Sequence, residues 1–208
     1  MTDRTDSHLH VAEASDAETR TGIDSALEDL HGGEKTWASL SLRKRRELIE
    51  RVRDLTVRHA AEWVAAAVAI KGLDDSSPLV GEEWISGPYA FAGGTATIAQ
   101  TLRALDEGNS PLEGAEFGSA PGGRTTVEVL PRGVFDKLLL NGFSAQVWLE
   151  PGVDADTPKQ TAGLAQLTPS DTQGIGVVLG AGNIMSIAPL DTLYELAARN
   201  RVVALKLN

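Results

Sequence analysis

Three residues with little or no side chain, Gly180, Ala181 and Gly182, follow an apolar run at residues 175–179 and precede a helix-like stretch. That order suits the holding of a pyrophosphate. Small residues let the backbone approach phosphate oxygens, and a helix start offers unpaired N–H groups and a partial positive charge. The GxGxxG fingerprint is incomplete, because Met185 stands at its third glycine position and Pro189 falls in the first turns of the helix. A lone GxG also fits a plain tight turn between strand and helix. Asn183 closes the glycine turn and, on its type alone, reads as a helix N-cap or turn residue. A second apolar run, residues 202–205, ends on Lys206, which in isolation reads as an exposed strand-end lysine.

Other chemistries find little support. The chain has no cysteine, which excludes disulfides, cysteine-ligated zinc and any thiolate nucleophile from these residues. No serine lies in a Gly-x-Ser-x-Gly elbow. His8 and His10 stand in an acidic, apolar-poor segment, where two imidazoles seldom make a metal site.

A net charge of -10 argues against general affinity for nucleic acid, whose phosphates select basic surfaces. No apolar stretch reaches the ~18 to 20 residues that span a bilayer. The N-terminus lacks the basic and apolar regions of a signal peptide, so the expected compartment is the cytoplasm, without membrane association. Most of the negative charge lies in residues 1–36, which read as an acidic, largely disordered tail.

The elements that would position the turn are legible as patterns. Residues 42–70 read as helix, with Leu48, Ile49, Val52, Leu55, Trp63, Ala67 and Ile70 at spacings of three and four. Ser41 is the expected N-cap and Gly72 the expected stop. The run Arg43, Lys44, Arg45 and Arg46 reads as a solvated face paired along the helix with Glu47, Glu50 and Asp54. Residues 82–105 read as a second helical region, interrupted at Gly87-Pro88 and Gly93-Gly94, and able to cover the first. Residues 108–123 read as a loop or linker. Residues 125–130, 134–140 and 143–149 read as strands, with Asn141-Gly142 as a hairpin turn between the last two. Leu138, Leu139, Leu140 and Trp148 are more than a lone hairpin can bury, so another part of the protein or another subunit should cover them.

The C-terminal third resembles the start of the nucleotide-binding domain of the aldehyde dehydrogenase superfamily. The resemblance rests on the run from Gly174 through Leu179 to Asn183, the helix-like residues 190–200, and the strand ending in Lys206, with the separation of Asn183 and Lys206 expected of that family. Trp37, followed by a spacer and the basic run Arg43 to Arg46, resembles the family's opening helix, and Ile70-Lys71-Gly72 resembles its helix end loosely. Most members carry Pro-Trp before the asparagine, where this chain has Ala181-Gly182. In that respect it is similar to acyl-CoA reductase-like bacterial branches.

The resemblance implies an α/β fold. Residues 37–123 would be a helical region and residues 124–153 an antiparallel β hairpin arm of the kind that joins subunits. Residues 154–208 would be the start of an NAD(P)-binding Rossmann-like, doubly wound domain, truncated after its first βαβ unit. It implies an oxidoreductase acting on an aldehyde or acyl carbonyl with NAD or NADP. Asn183 would be the catalytic oxyanion donor. Leu179, Gly180, Ala181 and Gly182 would form the cofactor's floor, and Lys206 would bind its ribose hydroxyls or an attached phosphate. A homo-oligomer through the arm is implied as well. Without the family's cysteine the 208 residues are expected to be inactive alone. A reading of a different class, a non-catalytic interaction or oligomerisation module, fits the apolar arm and the missing nucleophile.

Overall fold

The computed structural model describes residues 16–131, 133–168 and 174–208, a mixed α/β structure in which helix dominates. The helical part comprises α1 (Asp16–Ser39), α2 (Leu42–Arg58), α3 (Ala60–Lys71), α4 (Leu79–Trp84) and α5 (Ala90–Asp106), the last two joined by a π-helical turn at Ile85–Tyr89. There follow β1 (Phe117–Ala120), β2 (Arg124–Leu130), α6 (Val134–Leu139), β3 (Ala145–Trp148), α7 (Asp156–Thr161) and α8 (Leu164–Leu167). The chain then runs through β4 (Ile175–Leu179), α9 (Ile187–Ala197) and β5 (Val202–Lys206). Among the described residues no helix is long and apolar enough to cross a membrane.

The expected helix signals at residues 42–72 hold at both ends. Ser41 has extended backbone, and its hydroxyl accepts the Lys44 amide at 3.2 Å, relieving one of the unpaired donors of the first turn. Gly72 ends α3 at φ 62°, the left-handed position that a Cβ disfavours. The helix is not continuous, however, since His59 separates α2 from α3. Past that break Trp63 meets Phe91 with ring centroids 5.8 Å apart.

The buried side of α2 also differs from the expected one. Arg45, Ile49 and Thr56 face inward, whereas Leu48, Val52 and Leu55 are exposed. Arg43, Lys44 and Arg46 pair with Glu47 and Glu50 as expected. Arg45 does not belong to that solvated face.

The core consists of Ile49 from α2, Phe91, Ala99 and Leu102 from α5, and Leu193 from α9, with Trp63, Ile98 and Leu190 packed around them. Helices from the first half of the chain and from its last 35 residues therefore share one core. Gly93-Gly94 does not interrupt α5. Its close approach to α9 gives the reason, because a Cβ at Gly94 would lie 2.9 Å from Leu190 Cδ2. Gly87-Pro88 is the one interruption of the two that the structure retains, and it is accommodated as the π-helical turn.

Four expectations are corrected. Residues 16–36 are not tail, since α1 covers them and its second half packs along β5; residues 1–15 lie outside the described residues. The linker at 108–123 contains β1, whose Gly118 lets Thr126 of β2 come close across the ladder. Of residues 134–140, expected as a strand, Val134–Leu139 form helix α6 and Leu140 follows it in the turn. Leu138, Leu139 and Lys137 favour helix, and the run lacks the period-two alternation of a half-buried strand. The Asn141-Gly142 turn, with Gly142 at φ 87°, accordingly leads from a helix into β3, and β3 pairs with β2.

The arm is thus a three-stranded antiparallel sheet in the order β1-β2-β3 with a helical insertion. Its apolar surface is open, as in Phe135 at 78% and Leu138 at 73% exposed.

Candidate functional site

The last 35 residues form the expected strand–helix–strand unit. β4 and β5 pair in parallel from Ile175↔Val202 to Leu179↔Lys206. Gly176 and Val178 are buried, and a Cβ on Gly176 would collide with the Glu195 carboxylate, which α9 lays across the strand. Glu195 faces Arg199 and Arg201 at 3.6 and 3.9 Å. α9 begins at Ile187, three residues earlier than its apolar pattern suggests, and Asn200 takes the left-handed turn into β5 at φ 52°.

This register brings several of the candidate residues together. Leu179 and Lys206 are partners at the carboxyl ends of parallel strands, the edge at which open α/β sheets hold ligands. The Gly180 amide donates to the Lys206 carbonyl at 2.8 Å. A Cβ at Gly180 would come within 3.0 Å of that oxygen and 3.3 Å of the Asn208 amide nitrogen. Gly182 gives room to the Asn208 side chain, whose Nδ2 lies where a Cβ would need to be. Leu179, Gly182, Asn183 and Lys206 are exposed, and Gly180 and Ala181 are half-buried.

Asn183 lies on a bend three residues before the N-cap position of α9, which Ser186 occupies, so it does not cap the helix. Ser186 is itself buried, and its hydroxyl donates to the Ser86 carbonyl in the π-helical turn. The start of α9 is poorly suited to a phosphate, contrary to the expectation from the glycine turn. The Ile187 amide is spent on Ile184 O at 3.3 Å, Pro189 has no N–H, and Ala188 is buried.

The exposed cation Lys206 and the side-chain-poor turn Gly180, Ala181 and Gly182 lie on one edge beside the apolar surface of Leu179. Such a set can meet ribose hydroxyls or a phosphate through a flexible ammonium while the sugar lies on backbone. Sequence reasoning gave no sign of Asn208 or Ser186 at this edge, because their roles come from tertiary contacts with Gly182 and Ser86. Among the described residues no group of three or more His, Asp or Glu side chains could hold a metal ion. Comparisons with family models, with curated proteins and with solved structures find no match to this chain.

Proposed function

We propose that the chain supplies the cofactor edge and the oxyanion donor of an NAD(P)-dependent aldehyde dehydrogenase-type oxidoreductase acting on an aldehyde or acyl carbonyl. One observation carries the reading. The glycine turn and Lys206 meet at the carboxyl ends of two parallel strands, with Lys206 in register with Leu179 and bonded through its carbonyl to Gly180.

In this reading Leu179, Gly180, Ala181 and Gly182 form the floor on which the cofactor's adenosine half rests, and the Lys206 ammonium binds its ribose hydroxyls or an attached phosphate. A bound NAD(P) would supply the hydride acceptor for the substrate carbon. Asn183, exposed at the outer end of the turn, donates its side-chain amide to the oxygen that gains charge as the carbonyl is attacked. A donor of this kind lowers a barrier by about 3 to 4 kcal/mol. The attacking group has to come from outside these 208 residues if it is a thiolate, since they contain no cysteine. The chain alone is then a binder that does not turn over.

Titration of the full chain with NADH, followed by nicotinamide fluorescence, tests the proposal. Saturable binding that Lys206→Ala weakens supports it, and absence of binding rejects it. The exposed Val134, Phe135, Leu138 and Phe143 surface favours a second reading, an interaction or oligomerisation module. That reading predicts concentration-dependent self-association without nucleotide binding.

A further inference from the structure

A buried cation without a described carboxylate partner stands where the helical region meets the β4–α9–β5 unit. Arg45 is 1% exposed. Its guanidinium donates to Trp37 O at 2.9 Å and Ala38 O at 3.3 Å, both in the last turn of α1. It donates also to Gln166 Oε1 at 2.8 Å and lies over the Trp37 ring at 5.2 Å. Gln166, buried in α8, continues the chain of bonds. Its amide donates to Ala197 O at 2.6 Å and reaches Leu196 O at 3.5 Å, while Trp37 Nε1 donates to the same Leu196 carbonyl at 3.2 Å.

α1 and α9 therefore end on the same pair of side chains. The last carbonyls of a helix have no partner within it, and together they carry about half a negative charge. The α1 end supplies the guanidinium with partial counter-charge directly, and the α9 end is joined to it through Gln166, where no described carboxylate pairs with the buried ion. The bonds are also directional. Gln166 turns its oxygen to Arg45 and its nitrogen to α9, so neither an all-acceptor nor an all-donor side chain could make both links.

The end of α9 in turn sets the start of β5, because the Arg201 amide donates to Glu195 O at 2.9 Å across the short left-handed turn. We infer that Arg45 and Gln166 form a latch holding the C-terminal end of α9, and with it the strand that carries Lys206, against the helical region. They are positioning residues for the cofactor edge. Their role toward a cofactor rests on the function proposed above, whereas the latch does not.

Amide hydrogen exchange on the full chain, paired with NADH titration, tests this through Gln166→Leu and Gln166→Glu. In Gln166→Leu, amides in the last turn of α9 and in Val202–Lys206 should exchange about tenfold to a hundredfold faster, the scale of a lost buried hydrogen bond, while α2 and α5 amides keep their rates. NADH affinity should fall in parallel.

Gln166→Glu separates the two links. An ionised carboxylate keeps the Arg45 bond but sets oxygen against the Ala197 carbonyl, so β5 loosens. Protonation restores a donor and tightens it again. Arg45 faces this carboxyl from α2, and Glu195, Arg199 and Arg201 pair among themselves at the end of α9.

Wild-type exchange in both variants, or loosening spread evenly through α2 and α5, overturns the latch. If exchange behaves as expected but the unsubstituted chain binds no NADH, the latch stands and the function falls. If the variants loosen β5 without weakening NADH binding, the positioning role falls.

Discussion

Leu179 and Lys206 are register partners at the ends of two parallel strands, and the amide after Leu179 closes the pair by donating to the Lys206 carbonyl at 2.8 Å. The bond uses backbone on both sides. The geometry of this edge therefore depends on what the glycines leave empty, and the Lys206 side chain is free to serve as a probe of the site.

Gly180→Val should distort the edge, because a Cβ there meets the Lys206 carbonyl and the Asn208 amide, which are backbone atoms that cannot rotate away. The expected cost is about 1 to 3 kcal/mol, the range for forcing extra methyl groups into a packed site. Urea unfolding of the variant against the parent checks it; an unchanged midpoint would show that the strand ends are loose enough to admit the side chain.

Lys206→Ala should weaken NADH binding by about tenfold, the loss of one charge-assisted bond at an exposed site, with little effect on stability. Lys206→Arg should recover only part of it, since a planar fork does not replace a compact ammonium. Fluorescence titration of the three proteins decides this.

Leu102→Ala should destabilise the fold by about 2 to 5 kcal/mol, because Leu102 is buried in the core shared by α2, α5 and α9. Thermal unfolding should lose the helices and the β4–β5 unit together. Separate transitions would mean that the two regions do not share that core in solution.

Asp154 gives an acid limb with a defined sign. Its carboxylate accepts the Thr157 amide at 2.8 Å, the Thr157 hydroxyl at 2.9 Å and the Asp156 amide at 3.0 Å, and these bonds, the Thr157 amide first, hold its pKa below the ordinary aspartate value. The stabilisation of α7 is therefore complete above the ordinary aspartate pKa and lost as pH falls through the depressed folded value. NMR shifts of the Asp156 and Thr157 amides should follow that titration, and Asp154→Ala should abolish it.

Phe135→Asp combined with Leu138→Asp should suppress self-association, since these residues head the open apolar surface of the arm. Sedimentation velocity across a range of concentrations checks it. Unaltered self-association in the double variant would move the contact elsewhere.

Where local chemistry decides structure, the sequence was legible. The Ser41 cap, the Gly72 stop, the β4 and β5 runs and the glycine turn between β4 and α9 all follow from residue type and spacing. Residues 134–140 misled because a leucine-rich apolar run fits helix or strand equally until its neighbours are known. β1 was hidden for the opposite reason, as its poor strand propensity is overridden by pairing with β2. Arg45 looked like its neighbours in a basic run, and only the tertiary meeting of two helix ends takes it inside. At the site, the two strands, the glycine turn and Lys206 at a strand end were readable, whereas the pairing of Lys206 with Leu179 came from the structure. The burial of Ser186 against Ser86 was not, because those residues are far apart along the chain.

The Arg45–Gln166 joint has a consequence for how this protein can vary. Five of its six bonds, counting that of Trp37, end on main-chain oxygens of residues 37, 38, 196 and 197. Those oxygens persist whatever side chains mutation places at Ala38, Leu196 or Ala197. The information that specifies the joint is thus concentrated in very few codons, and related chains should drift freely around Arg45 and Gln166 while changing those two only together.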